Sequence, residues 1–171
     1  VHRDVSPQNV LISFEGEVKL TDFGIAKAAV AMEERTDAGV LKGKYAYMSP
    51  EQARGKDADA RTDLHALGTV LYELLGGENP FYVPESAYET LRKVRSGERR
   101  PLAEAMPELP AELTSIVDRA MSPAPDDRQP NAGQLYEELV QFLYSSGRRV
   151  SGHDLADYLQ ELRRADEAEA R

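Results

Sequence analysis

The apolar positions divide the chain into two unequal regimes. Near the start they form short β-type runs, Val10-Leu11-Ile12-Ser13-Phe14 and Val18-Lys19-Leu20-Thr21, on either side of Glu15-Gly16-Glu17. Branched and aromatic residues around a glycine-bearing turn predict a β-hairpin. From Asp22 to Glu51 no period persists, and Gly24, Gly39, Gly43 and Pro50 punctuate the stretch. The pattern predicts a long segment without regular structure, and segments of that length in a compact domain are usually functional or disordered.

Beyond Glu51 the spacing turns helical. Leu64, Leu67, Val70, Leu71, Leu74 and Leu75 fall on a broad stripe, with Thr62 or Asp63 placed to cap it and Gly76-Gly77 to stop it. Such a stripe predicts a deeply buried helix. A more polar helix is predicted from Ser86 to Val94, closed by Ser96-Gly97. Leu113, Ile116, Val117, Ala120 and Met121 mark a third, stopped by Pro123 and Pro125. Leu135, Leu139, Phe142 and Leu143 mark a fourth, with Asn131 as its cap. Residues 147–152 read as a linker before an amphipathic last helix, capped by Ser151, that carries Leu155, Tyr158, Leu159 and Leu162 on one face. Few strands followed by many helices predict a mainly α-helical lobe in an α+β fold.

Composition changes this picture little. The 171 residues suffice for one domain with a sizeable core, and 41% hydrophobic with 30% charged residues is ordinary for a soluble globular protein. A net charge of −9, with the basic residues scattered, argues against a nucleic-acid-binding surface. There is no cysteine, hence no disulfide or thiolate metal site. No apolar run approaches the roughly 20 residues of a membrane span, so the expected location is the cytoplasm.

The candidate chemistry lies in three short motifs in order: His2-Arg3-Asp4 with Asn9 five residues after the aspartate, Asp22-Phe23-Gly24, and Ser49-Pro50-Glu51. The four fixed positions of the first motif would arise by chance about once in 10⁵ windows at ~1 in 20 per residue. With all three in sequence, the chain over residues 1–145 resembles the C-terminal lobe of a eukaryotic-like serine/threonine protein kinase. It is most similar to the bacterial branch, with "YMSPEQARG" at 47–55. Residues 146–171 fall outside that core. Because the richest motif opens the chain and no initiator Met precedes it, the expectation is the C-terminal part of something longer, with the N-terminal lobe absent and these residues alone a poor phosphotransferase.

The resemblance implies a protein kinase-like fold and transfer of the ATP γ-phosphate to serine or threonine hydroxyls of protein substrates, with Mg²⁺ (or Mn²⁺) as the metal. It implies Asp4 as the catalytic carboxylate, and Asn9 and Asp22 as hard oxygen ligands for the metal and the phosphates. Leu11 is implied as the apolar floor beneath the adenine. Glu51 is implied to pair with Arg128, and Asp63 to accept backbone N–H groups from the catalytic loop. His2 reads as a packed histidine, and Tyr45 and Tyr47 as packed tyrosines. Arg3 before the catalytic aspartate implies control by phosphorylation of the 22–51 segment, for which Thr36 is the candidate acceptor, with self-association as the route.

One departure from the family stands out. The serine/threonine form carries lysine two residues after the catalytic aspartate, where this chain has Ser6, and threonine after the glycine matched by Gly43, where this chain has Lys44. The two side chains look exchanged, which implies Lys44 as the catalytic cation with Ser6 supplying the hydroxyl. The competing reading is a non-catalytic pseudokinase or a stand-alone lobe that acts as an interaction module.

Overall fold

In the computed structural model the residues described are 1–23, 43–147 and 149–169. The chain enters through a single 3₁₀ turn, Pro7–Asn9, into the antiparallel strands β1 (Val10–Ile12) and β2 (Val18–Leu20). Val10 faces Leu20, Leu11 faces Lys19 and Ile12 faces Val18. Both strands are shorter than the apolar runs suggest, because Ser13 turns inward to close the hairpin. Its backbone N–H donates to the Glu17 carbonyl at 2.9 Å, and its Oγ accepts from the Glu15 and Glu17 N–H groups.

Seven helices follow among the described residues: α1 (Pro50–Ala53), α2 (Ala60–Gly76), α3 (Ala87–Ser96), α4 (Leu102–Ala105), α5 (Ala111–Ala120), α6 (Ala132–Ser145) and α7 (Gly152–Glu169). Short polar side chains cap several of them, as Ser86 does for α3 and Asn131 for α6. Ser151 and Asp154 bond reciprocally at the start of α7. Gly77 and Gly97 end α2 and α3 in the left-handed conformation.

Two expectations for α2 are corrected. Its cap is Asp59, not Thr62 or Asp63, since both of those side chains bond to other segments. The helix therefore starts a turn earlier. Leu74 is not part of the buried stripe but 75% exposed. The helices α1 and α4, each a single turn, have no apolar period long enough to register in the sequence.

The core lies behind α2. Tyr72, Phe81, Val94, Leu102, Val117 and Met121 form one cluster, and Leu64, Ile116, Ala120 and Leu135 a second. Each fully buried side chain of this size contributes about 1.5–3 kcal/mol. Gly68 allows α2 and α5 to approach closely: a Cβ there would lie 2.8 Å from Met121 Cγ. The hairpin stands outside this core, and Leu11, Ile12, Phe14 and Val18 are exposed. Helix α7 touches it. The Arg163 guanidinium lies over the Phe14 ring at 5.5 Å, and the backbones of Gly16 and Gly152 approach so closely that a Cβ on Gly16 would overlap the Gly152 carbonyl.

Candidate active site

The loop before β1 is fixed to the start of α2 through one carboxylate. Asp63 accepts the backbone N–H of His2 and that of Arg3, each at 2.7 Å. Arg3 has a positive φ of 67°, a conformation that disfavours a residue with a Cβ, and persists because both its ends are tied. Its N–H goes to Asp63, and its carbonyl accepts from Gln52 Nε2 at 3.0 Å. The buried His2 ring accepts from the Asp4 N–H at Nδ1, so the ring proton sits on Nε2 and is donated to the Thr21 carbonyl. One imidazole thus joins the loop before β1 to the loop after β2.

Asp4 sits at the mouth of this loop, with 18% of its side chain exposed. Asn9 Nδ2 donates to the Asp4 carbonyl at 2.7 Å and to Oδ2 at 3.1 Å. Lys44 Nζ donates to the same Oδ2 at 3.2 Å. The Asn9 carbonyl in turn accepts from the Thr21 N–H at 2.8 Å and from Thr21 Oγ1 at 3.3 Å. Asp22 follows immediately, also at a positive φ, of 58°. The hairpin register thereby pairs Asn9 with Thr21 at its open end, and Asp22 is the next residue along the chain. With both Asn9 amide bonds made through Nδ2, its Oδ1 is left as a hard oxygen, and Asp22, which follows Thr21, is a second hard oxygen donor of the kind that suits Mg²⁺. No group of three His, Cys, Asp or Glu side chains able to hold a metal occurs among the described residues.

The remaining sequence-derived site residues separate. Ser6 is buried, but its Oγ meets no hydrogen-bond partner among the described residues, so it is not joined to Lys44 or Asp4. Leu11 is 55% exposed on β1. Arg3 is exposed, and Thr36 lies outside the described residues.

Behind the loop, Glu51 and Arg128 form a bidentate pair, both bonds 2.8 Å. Arg128 is 2% exposed and also donates to the Ser122 and Arg61 carbonyls, while Glu51 accepts from Thr62 Oγ1. Burial pushes the Glu51 carboxyl up, but the Arg128 bonds and charge, aided by Thr62, outweigh it and hold the group down at about 2. Beside this pair, the His65 ring is fully buried, stacked on Phe81, and makes no hydrogen bond among the described residues. Burial first, and then the Arg128 charge, lower its titration to about 3.

Sequence reasoning missed Gln52, Thr62 and His65 as parts of these nodes. For Gln52 a signal existed: Ser49 and Gln52 stand at capping-box spacing, and the reciprocal bonds form. For His65 there was none, since one histidine on an apolar stripe has no distinguishing period. Tyr47, expected to be packed, is buried and donates to Glu73. Burial first, then that acidic neighbour, raise its hydroxyl.

The arrangement presents a carboxylate oriented by an amide and a cation, next to a pair of hard oxygen donors. It can accept a proton from a hydroxyl aligned on a metal-bound phosphate. Comparison with known proteins agrees with that chemistry. The family model described as protein kinase domain matches residues 1–141. The tyrosine-protein kinase MasK of Myxococcus xanthus is 47% identical over 143 residues, which cover 84% of this chain and 22% of that protein. The serine/threonine-protein kinase PknB of Mycolicibacterium smegmatis is 40% identical over 144 residues, 82% of this chain and 22% of that protein. The serine/threonine-protein kinase PknL of Mycobacterium tuberculosis is 53% identical over 81 residues, 47% of this chain and 20% of that protein. The chain thus spans about a fifth of the length of these relatives.

Proposed function

The chain belongs to the protein kinase family, and on that premise we propose that it is the C-terminal lobe of a serine/threonine kinase, with the lobe at 1–145 and a linker and helix at 146–171. The observation that carries the reading is Asp4 Oδ2 held between Asn9 and Lys44, with Asn9 in turn bonded to Thr21, the residue before Asp22. In the reaction the acceptor hydroxyl attacks the γ-phosphorus, its proton passes to Asp4, and the bond to the β–γ bridging oxygen breaks, with ADP leaving on that electron pair. Mg²⁺, or Mn²⁺ in its place, neutralises phosphate charge when bound, and Asn9 and Asp22 are the residues that would hold it. Leu11, apolar and exposed on β1, offers a surface for the adenine ring.

ATP as phosphate donor places this face in the cytoplasm, and no helix among the described residues is long and apolar enough to cross a membrane. Thr36 would accept a regulatory phosphate from a second copy, with exposed Arg3 as its partner. Incubation of the full-length protein with γ-labelled ATP, Mg²⁺ and protein acceptors, followed by phosphoamino-acid analysis, tests the reading. Labelled phosphoserine or phosphothreonine is expected. Absence of transfer overturns it, and phosphotyrosine alone would move the acceptor to the class named for the Myxococcus relative.

A further inference from the structure

We propose that Lys44 supplies the catalytic positive charge that stabilises the transferred phosphoryl group, delivered from the segment before α1 rather than from the loop that carries Asp4. The inference rests on the kinase reading above. The position two residues after Asp4 is a serine, buried and uncharged, whose hydroxyl bonds to nothing among the described residues. Among the described residues, a cation reaches the Asp4 carboxylate instead from forty residues away, in Lys44.

The geometry of the pair suits a working cation better than a structural brace. Both side chains are partly open, 23% exposed for Lys44 and 18% for Asp4, and among the described residues a single N–H of the ammonium is engaged, at 3.2 Å. A one-point pair that water still reaches contributes little to stability, about 0–1 kcal/mol for pairs at the surface. An ammonium has three donors on a rotatable stem, so donors remain for a phosphoryl oxygen beside Asp4. In the transfer the ammonium keeps its protons and donates hydrogen bonds to oxygens on which charge accumulates. That is the role in which a positioned donor has the largest effect.

The backbone at Lys44 is anchored for the purpose. Successive turn bonds run from Ala46 N–H to the Gly43 carbonyl, from Tyr47 to Lys44 and from Met48 to Tyr45. Ala46 and Tyr47 are buried, and Tyr47 is bonded to Glu73 on α2. Because Asp4 and its cation sit on different segments, packing of the 43–48 turn and completion of the catalytic charge are one event.

The test uses the full-length protein with Asp4→Asn as reference, and reads kcat, the KM for ATP and thermal unfolding. Lys44→Met is expected to lower kcat about 10²–10³-fold, with KM for ATP and unfolding temperature close to wild type. In Lys44→Cys, alkylation with 2-bromoethylamine rebuilds an ammonium at the same reach, whereas iodoacetamide leaves a neutral chain. Recovery of at least ~10-fold with the first reagent and none with the second, against wild type treated identically, is the expected result. Lys44→Met within threefold of wild type, or equal responses to the two reagents, would overturn the role of Lys44 while an inactive Asp4→Asn leaves the kinase reading standing. A wild-type protein that transfers no phosphate removes both.

Discussion

Two ion pairs join distant parts of this chain, and they are built on opposite terms. Glu51 and Arg128, 77 residues apart, meet in a bidentate contact with almost no solvent access, and Arg128 spends its remaining donors on the Ser122, Arg61 and Pro123 carbonyls. Asp4 and Lys44, 40 residues apart, meet at one point on a part-open face. The first region is saturated, and a saturated buried pair can only hold structure. In the second, Lys44 keeps donors in hand among the described residues, as a site must if a substrate is to complete it. Its own attachments, Asp63 to the loop backbone and His2 to Thr21, lie one layer back from the reacting face.

Perturbation should separate the regions. The largest effect on stability is expected for Arg128→Met, which leaves Glu51 buried and unpaired, at about 3–5 kcal/mol by equilibrium denaturation. A loss below ~1 kcal/mol would mean that water reaches this pair and that the contrast with Asp4–Lys44 is false. Next comes Asp63→Ala, which removes two charge-assisted bonds to the catalytic loop. It should cost about 2–3 kcal/mol and lower kcat together with stability, because it displaces the loop that carries Asp4. A variant with the stability loss and unchanged kcat would detach the loop's position from catalysis.

Acid should act on the saturated region first. The folded-state pKa of His65 is depressed to about 3 from 6.5, so the unfolded chain takes up the extra proton as pH falls below 6.5. Stability should therefore drop by up to about 1.4 kcal/mol per pH unit from that group between pH 6 and 4. Glu51, also depressed, contributes stability that is full above its ordinary value of 4.5 and is lost as pH falls towards about 2. His65→Phe, which keeps an aromatic ring against Phe81, should flatten the pH 4–6 slope, as read by urea denaturation across that range. An unaltered slope would show that the buried imidazole is not the group responsible. The smallest effect is expected at the hairpin tip. Gly16→Ala should detach α7 at a cost of about 1 kcal/mol, seen as faster hydrogen exchange in 152–163 with kcat unchanged. Protected α7 amides would remove that contact from the account.

What the sequence disclosed depended on how far each feature reached along the chain. The hairpin and the five longer helices carry their own period and were legible, whereas the one-turn helices α1 and α4 carry none. The α2 cap was misplaced because Asp59, Thr62 and Asp63 are all capping types. Only tertiary partners, Glu51 for Thr62 and the loop backbone for Asp63, show which of them is left to cap. Leu74 was placed in the core because the apolar spacing does not reveal on which side of the helix the packing stops. At the site, motif spacing singled out Asp4, Asn9 and Asp22, and only resemblance to a family named Lys44 beside Asp4. Neither foretold that Ser6 Oγ would be buried without a partner among the described residues, which depends on tertiary packing around the loop.

The central claim is that the open region performs the chemistry and the closed one only supports it. Asp4→Asn in the full-length protein tests this most directly, with single-turnover phosphate transfer and equilibrium unfolding measured on the same preparation. The account predicts a fall in transfer rate of about 10³-fold or more with stability within ~0.5 kcal/mol of wild type. A rate close to wild type, or a rate loss that merely tracks a loss of folding, would contradict it.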